Sequence, residues 1–380
     1  MNPMEVISTM IHQGRQPQIA GNPLLDFTGL PRFDRIQPTD VTPAIDQLLT
    51  DARGVVSCIT VSDASVTWDS VIEPLNEATD RLARSWGAVS HMNAVVDTPE
   101  LREQYNLNLP KLTEFWTELS QNEALYEKFK VLAAAPDFAQ WSAVRRKVVE
   151  NELRDFRLGG AELAADKKER FKQVRERESQ VSTRFAENVL DATNAFALYI
   201  DDASALAGVP EDALQMLSES AQADGKTGYK ISLQYPSYSA IVDYAHDRTL
   251  RQQVYRAYST RASEFGDPDW NNGPLMVELL KLRREHAQLL GYKSFAEVSL
   301  VAKMAESPAD VLDFLRDLAR RAKPYAERDI GELREFASKH LGIADLRPWD
   351  VSYASEKLRE QRYSYSDQEL KQYFTEARVL

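Results

Sequence analysis

YRAYSTRASEFGDPDWNNGPLMVELLKLRREHAQLLGYKSFAEVSLVAKM, residues 255–304, is the stretch whose reading decides the fold class. It begins with an aromatic- and arginine-rich helix end carrying Tyr255, Arg256, Tyr258 and Arg261. A loop of Gly, Pro, Asp and Asn follows, and the spacing then predicts a helix from near Pro274 to Gly291. Proline suits a first helical position because its missing N–H has no partner there, and glycine just past the end adopts the left-handed conformation that closes a helix. Leu275, Leu279, Leu282, His286 and Leu289 recur at three- and four-residue steps, which puts them on one face. The same spacing governs most of the chain on either side, so the expected fold is all-α with a few short strands.

Toward the N-terminus, a helix is expected over Ser237–Tyr258. Before it, Tyr229–Tyr235 reads as a β-like run after the turn Ala223–Gly228, and a short helix follows Val209-Pro210. Asp166–Ile200 reads as the longest helical segment, with an apolar stripe through Phe171, Val174, Val181, Phe185, Phe196 and Tyr199. Its outer face interleaves both signs of charge, which suits a solvated surface with pairs along the helix. Further back, Gly159-Gly160 stops a helix over Pro136–Gly159. Others are expected over Asn122–Ala135, over Leu101–Leu119, from Thr67 to Val96, and over Val41–Cys58, the last with Thr42 as cap and Pro43 at its first position. Asn22–Pro43 reads as an extended arm anchored by Leu24, Leu25, Phe27, Phe33 and Ile36, and residues 1–21 as a loosely ordered extension. Toward the C-terminus, Ser307-Pro308-Ala309-Asp310 is a capping box ahead of an apolar face of Val311, Leu312, Phe314, Leu315 and Leu318. Pro324 is expected to kink or divide that helix, and Gly342 to close its continuation. These breaks suggest 22–160 as a helical N-terminal domain, 161–228 as a long helix with a connecting region, and 229–380 as the start of a further domain. No fixed-period repeat points to a solenoid.

With 380 residues, 43% apolar and 27% charged, the chain is long enough for two or three globular domains. Its net charge of −12 argues against nucleic acid or anionic membrane as a partner. Cys58 is the only cysteine, so no disulfide forms within the chain. It sits beside Val55, Val56 and Ile59 with no histidine nearby, the setting of an inert packed thiol. The first residues lack a secretion-signal pattern, no run approaches the ~18 apolar residues of a membrane span, and no Asn-x-Ser/Thr acceptor occurs. A cytoplasmic, soluble protein is expected.

No complete catalytic constellation emerges. The histidines are His12, His91, His246, His286 and His340, and none has another three to five residues away, as a helical zinc site requires. His286 follows Glu285, but Leu282 and Leu290 occupy the positions four away and the residue lies on an apolar stripe, so a packed structural role is expected. Gly225-Lys226-Thr227 resembles the end of a phosphate loop, yet Ser220 stands where the first glycine belongs and a helix replaces the preceding strand. Neither a nucleophile elbow nor a dinucleotide-binding glycine turn is present, and paired carboxylates are too numerous on solvated faces to single out two.

Identity comes from another direction. Tyr255 to Ser263, Leu282-Arg283 through Leu289-Leu290-Gly291-Tyr292, and Lys303-Met304-Ala305 together resemble the thimet oligopeptidase family of zinc metallopeptidases. Asn22-Pro23-Leu24-Leu25, Glu152 to Phe156, Asn188 to Thr193 and Pro348-Trp349-Asp350 extend the resemblance in order to the last residue. The family implies a mostly helical, two-lobed peptidase around a deep channel that cleaves short peptides. It also implies a zinc site on a His-Glu-x-x-His helix with a later Glu. No position here matches that motif, so the resemblance assigns no catalytic, substrate-binding or metal residue. It implies an N-terminal portion, inactive alone, whose partner is the missing C-terminal half. The alternative is a non-catalytic helical peptide-binding or regulatory module. Ala354, where the family pattern has a second tyrosine after Tyr353, is a local departure.

Overall fold

The computed structural model describes residues 21–61, 65–364 and 367–379; most of the expected N-terminal extension, His12 included, lies outside them. The fold is mainly helical, as expected, with one two-stranded antiparallel ribbon. The chain divides into two compact units, residues 1–181 with 279–307 and residues 182–278 with 308–380.

In the first unit, α1 (Pro38–Val61), α2 (Glu73–Val95), α3 (Pro99–Ser120), α4 (Glu123–Ala133) and α5 (Ala143–Leu158) share one apolar core. Ile45, Leu48, Leu82, Leu101, Phe115, Phe129 and Phe156 are all buried in it. Its helix starts follow local chemistry: Thr98, Asn122 and Ser142 each accept an N–H of the first turn with the side chain. Thr67 does so for a π-helical turn, Trp68–Ile72, that leads into α2.

Two boundaries differ from expectation. α1 begins a turn early, at Pro38, where the Asp40 carboxylate accepts the Gln37 N–H at 2.8 Å. Thr42 is therefore not a cap; its hydroxyl donates to Gln104 Oε1 at 2.7 Å and accepts from Asn108 at 2.6 Å, joining α1 to α3. Likewise Pro136 starts no helix; a 3-10 turn at Phe138–Gln140 intervenes and Ser142 begins α5. The arm before α1 lies as expected at Leu24 and Ile36, which are buried, whereas Phe33 is exposed. Cys58 is half-buried against the core.

α6 (Ala165–Ala195) carries Phe171, Val174 and Val181 into apolar contact and ends before Phe196. Its charges reach neighbouring helices as well as one another: Arg170 grips Glu285 through two bonds of 2.6 and 2.8 Å, and Lys172 meets Glu114 at 2.9 Å. What was expected as the end of this helix is β1 (Leu198–Ile200), paired antiparallel with β2 (Tyr229–Ile231). Gly228 makes the pairing possible: its φ is +83°, and a Cβ there would sit 2.4 Å from the Ile200 carbonyl oxygen.

The second unit also holds α7 (Glu211–Ala223), α8 (Tyr235–Tyr244) and α9 (Arg248–Thr260). The helix expected over 237–258 is broken: Ala245 is extended, His246 N–H bonds the Ala207 carbonyl at 2.8 Å, and the Asp247 carboxylate caps Thr249 and Leu250. α10 (Gly273–Leu289) ends at Gly291 in the left-handed region, as its spacing predicts. α11 (Phe295–Leu300) is short. α12 (Pro308–His340) is the longest helix, 33 residues against 31 for α6, and runs undivided through Pro324. Pro43, Pro110 and Pro324 lie inside helices, and each removes the helical donor of a carbonyl four residues back on an exposed residue, Thr39, Asn106 or Arg320, within reach of solvent. α13 (Pro348–Tyr363), α14 (Asp367–Lys371) and α15 (Glu376–Val379) complete the order.

Candidate functional site

His286 occupies the place its stripe implied. It is buried on α10 between Phe171 and Phe295, with ring centroids 4.9 and 5.3 Å away. Its Nδ1 lies 3.2 and 3.3 Å from the two carboxylate oxygens of Glu178, itself 8% exposed. Glu285 points elsewhere, to Arg170. One histidine and one carboxylate, walled by two phenyl rings, make a packed hydrogen-bonded pair.

The densest polar construction lies in the second unit, around Asp350. Pro348 starts α13 and places Asp350 on its buried side, at 0% exposure. Its carboxylate accepts from Arg251 at 2.9 Å, from Arg248 at 2.7 and 3.1 Å, and from the Arg347 N–H at 3.1 Å. Arg251, 1% exposed, also donates to the Ala245 and His246 carbonyls at 2.7 and 3.1 Å, and its guanidinium lies 4.1 Å from the Tyr353 ring centroid. Burial pushes the Asp350 carboxyl up, but the hydrogen bonds from Arg248 and Arg251 outweigh it, so the group is held below the ordinary carboxylate range. The break between α8 and α9 exists because Arg251 satisfies the carbonyls that the missing turn leaves free. Ala354, the departure noted in the sequence, is fully buried in a small core with Leu333, Ala337 and Ile343.

That ionic centre fixes α8, α9 and α13 around a group of tyrosines. Tyr238 and Tyr258 stack with centroids 4.0 Å apart. Arg261 lies 3.6 Å over the Tyr258 ring and donates to the Tyr258 carbonyl at 3.0 Å. Tyr255 meets Trp349 at 6.3 Å, and Tyr235 stands 69% exposed. Burial, then the neighbouring Tyr255 and Tyr258, pushes the Tyr238 phenol up to about 12. Flat rings with hydroxyl donors suit an extended peptide, whose backbone needs donors and acceptors and whose side chains need apolar faces. The cluster holds no nucleophile–base pair. Sequence reading singled out Tyr255, Tyr258 and Arg261 but gave them no role; Tyr238 carried no signal, because only the broken helix brings it under Tyr258.

Lys226, in the turn that resembles a phosphate loop, sits 3.4 Å over the Tyr199 ring beside the ribbon. His91 meets Phe33, His246 meets Tyr353 and His340 stacks on Phe336, each with one aromatic neighbour. Among the described residues no three His, Cys, Asp or Glu side chains group so as to hold a metal ion, and the residues around His286 do not fit zinc.

Two family models match in order: the neurolysin/thimet oligopeptidase N-terminal domain over residues 45–168 and peptidase family M3 over residues 241–380. Its sequence places the chain in the thimet oligopeptidase family. Oligopeptidase A of Haemophilus influenzae is 42% identical over 361 residues, 94% of this chain and 53% of that protein. Oligopeptidase A of Escherichia coli gives the same identity and shares. The probable cytosolic oligopeptidase A of Arabidopsis thaliana is 36% identical over 374 residues, 95% of this chain and 52% of that protein. The chain therefore spans about half the length of the curated relatives it matches. Tyr255, Tyr258, Arg261 and the Asp350 centre fall inside the M3 match, with Tyr235 and Tyr238 just ahead of it; the shared core of α1–α5 falls mostly inside the N-terminal one. No helix of the described residues is long and apolar enough to cross a membrane.

Proposed function

We propose that the chain is an N-terminal portion of a cytoplasmic zinc metallo-oligopeptidase that hydrolyses short peptides, and that it contributes a wall of the substrate channel. The observation that carries this reading is 42% identity along 94% of the chain to an oligopeptidase A of about twice the length. The zinc-binding His-Glu-x-x-His helix then belongs to the further length that such relatives possess. Residues 22–160 form the helical N-terminal domain in this reading, 161–228 the connection and 229–380 the start of the peptidase domain; the two family matches support that division. The chain's own part is to bind and orient: the tyrosine cluster offers hydroxyls and ring faces to a peptide, while the Asp350 centre holds those rings in place.

Metal analysis and peptide cleavage by the isolated chain test the proposal. No stoichiometric zinc and no cleavage are expected; stoichiometric zinc with chelator-sensitive cleavage would place the chemistry in this chain and overturn it. The tyrosine cluster favours a second reading, a non-catalytic peptide-binding module. Calorimetric titration with short peptides distinguishes the two, because saturable binding by a folded monomer supports the module.

A further inference from the structure

Large exposed apolar side chains are unevenly spread along the described residues: eleven lie before residue 276 and fifteen between Met276 and Val379. The densest run is on α12. From Leu312 to Asp329 every residue except Asp317 is exposed, so no side chain of these helical turns is buried among the described residues. Leu312, Phe314, Leu315, Leu318 and Tyr325 are 46–63% exposed and recur at three-, four- and seven-residue steps. The charged side of the same turns is already satisfied, with Arg316 on Asp313, Arg320 and Arg321 on Asp317, and Lys323 on Glu327. A helix that pairs its charges along itself and leaves a stripe of Leu, Phe and Tyr in water is built for a partner on that stripe.

We propose that this stripe of α12 is the seat of the remaining half of the peptidase, an apolar helical face from the further length that the relatives carry. It rests on the reading of the chain as an N-terminal portion. Two observations favour that occupant over a second copy of this chain. The stripe lies within the M3 match, in a domain whose relatives have about as much chain again. The exposed apolar side chains also crowd into the same part of the sequence rather than forming a scattered surface population.

Thiol labelling tests the seat. Leu315→Cys in a Cys58→Ser background is compared in the chain alone and in a chimera joining this chain to the unmatched part of Haemophilus influenzae oligopeptidase A. Labelling at 315 is expected to slow at least about tenfold in the chimera, since a thiol reacts only where reagent reaches it. Val131→Cys, on an exposed position of α4, is expected to label equally in both. Equal labelling at 315 in the two proteins overturns the proposal. So does protection in the chain alone that grows with protein concentration, because the occupant is then a second copy. Zinc-dependent cleavage by the chimera is read separately. Protection in an inactive chimera keeps the seat and sinks the functional reading, and activity without protection does the reverse.

Discussion

Asp350 is the residue on which the second unit most depends. Its carboxylate neutralises Arg251, which is almost fully buried, and removing one partner of such a pair strands the other. Asp350→Ala is expected to cost about 3–5 kcal/mol in urea unfolding. The pH dependence has a definite sign. Because the folded carboxyl is held low, its contribution is present above the unfolded value of about 3.9 and lost as pH falls through the lower folded value. The stability gap between wild type and Asp350→Ala should therefore narrow below pH about 4. Tyr238 behaves oppositely at the alkaline end. Its phenol, pushed up to about 12, favours the neutral form in the folded state, so stability falls as pH rises past the ordinary tyrosine value of about 10. Ultraviolet titration should show a late-ionising tyrosine that Tyr238→Phe removes. His286→Ala should cost about 1–3 kcal/mol by removing a hydrogen bond from the buried Glu178 carboxylate, which keeps the longer Arg175 contact at 3.7 Å. Thermal unfolding reads that loss, and an unchanged metal content distinguishes the packed role from a ligand role.

At the scale of elements, the caps and glycines carry the boundaries and the prolines mislead. Thr98, Ser142 and Gly291 act where local chemistry says they should, because a cap needs only its own first or last turn. Pro43 and Pro324 suggest a start and a break, yet both sit inside continuous helices. A proline costs one hydrogen bond and a steric adjustment, which water at an exposed carbonyl and long flanking helix offset. Pro324→Ala is expected to strengthen α12 by up to about 3 kcal/mol locally. Slower amide exchange over residues 312–329 is the measurement, with little change in global unfolding because none of these residues is buried. Unchanged exchange would show that the turns open for a reason other than the proline.

Across the whole molecule, the apolar surface after Met276 should make the isolated chain bind hydrophobic dye. Leu315→Glu with Leu318→Glu should lower dye binding without lowering the unfolding midpoint, since neither side chain is buried; a fall in the midpoint would show that the stripe is packed within the chain. The all-α class, the Gly291 stop and the family were legible in residues 255–304 and their surroundings, because three- and four-residue periodicity, terminal Pro and Gly, and short ordered motifs are local properties of the chain. The split of residues 237–258 into two helices was not legible. The Asp247 cap is local, but the break holds because Arg251 and Asp350, 99 positions apart, meet and satisfy the freed carbonyls. The tyrosine cluster follows from that break, and so was hidden with it. Sequence alone determined that the chain is helical and which family it resembles. Only tertiary structure decided that Thr42 bridges helices, that His286 is a packed partner of Glu178, and that α12 presents its apolar stripe to water. Periodicity says which residues share a face; what that face meets depends on segments far away in the sequence.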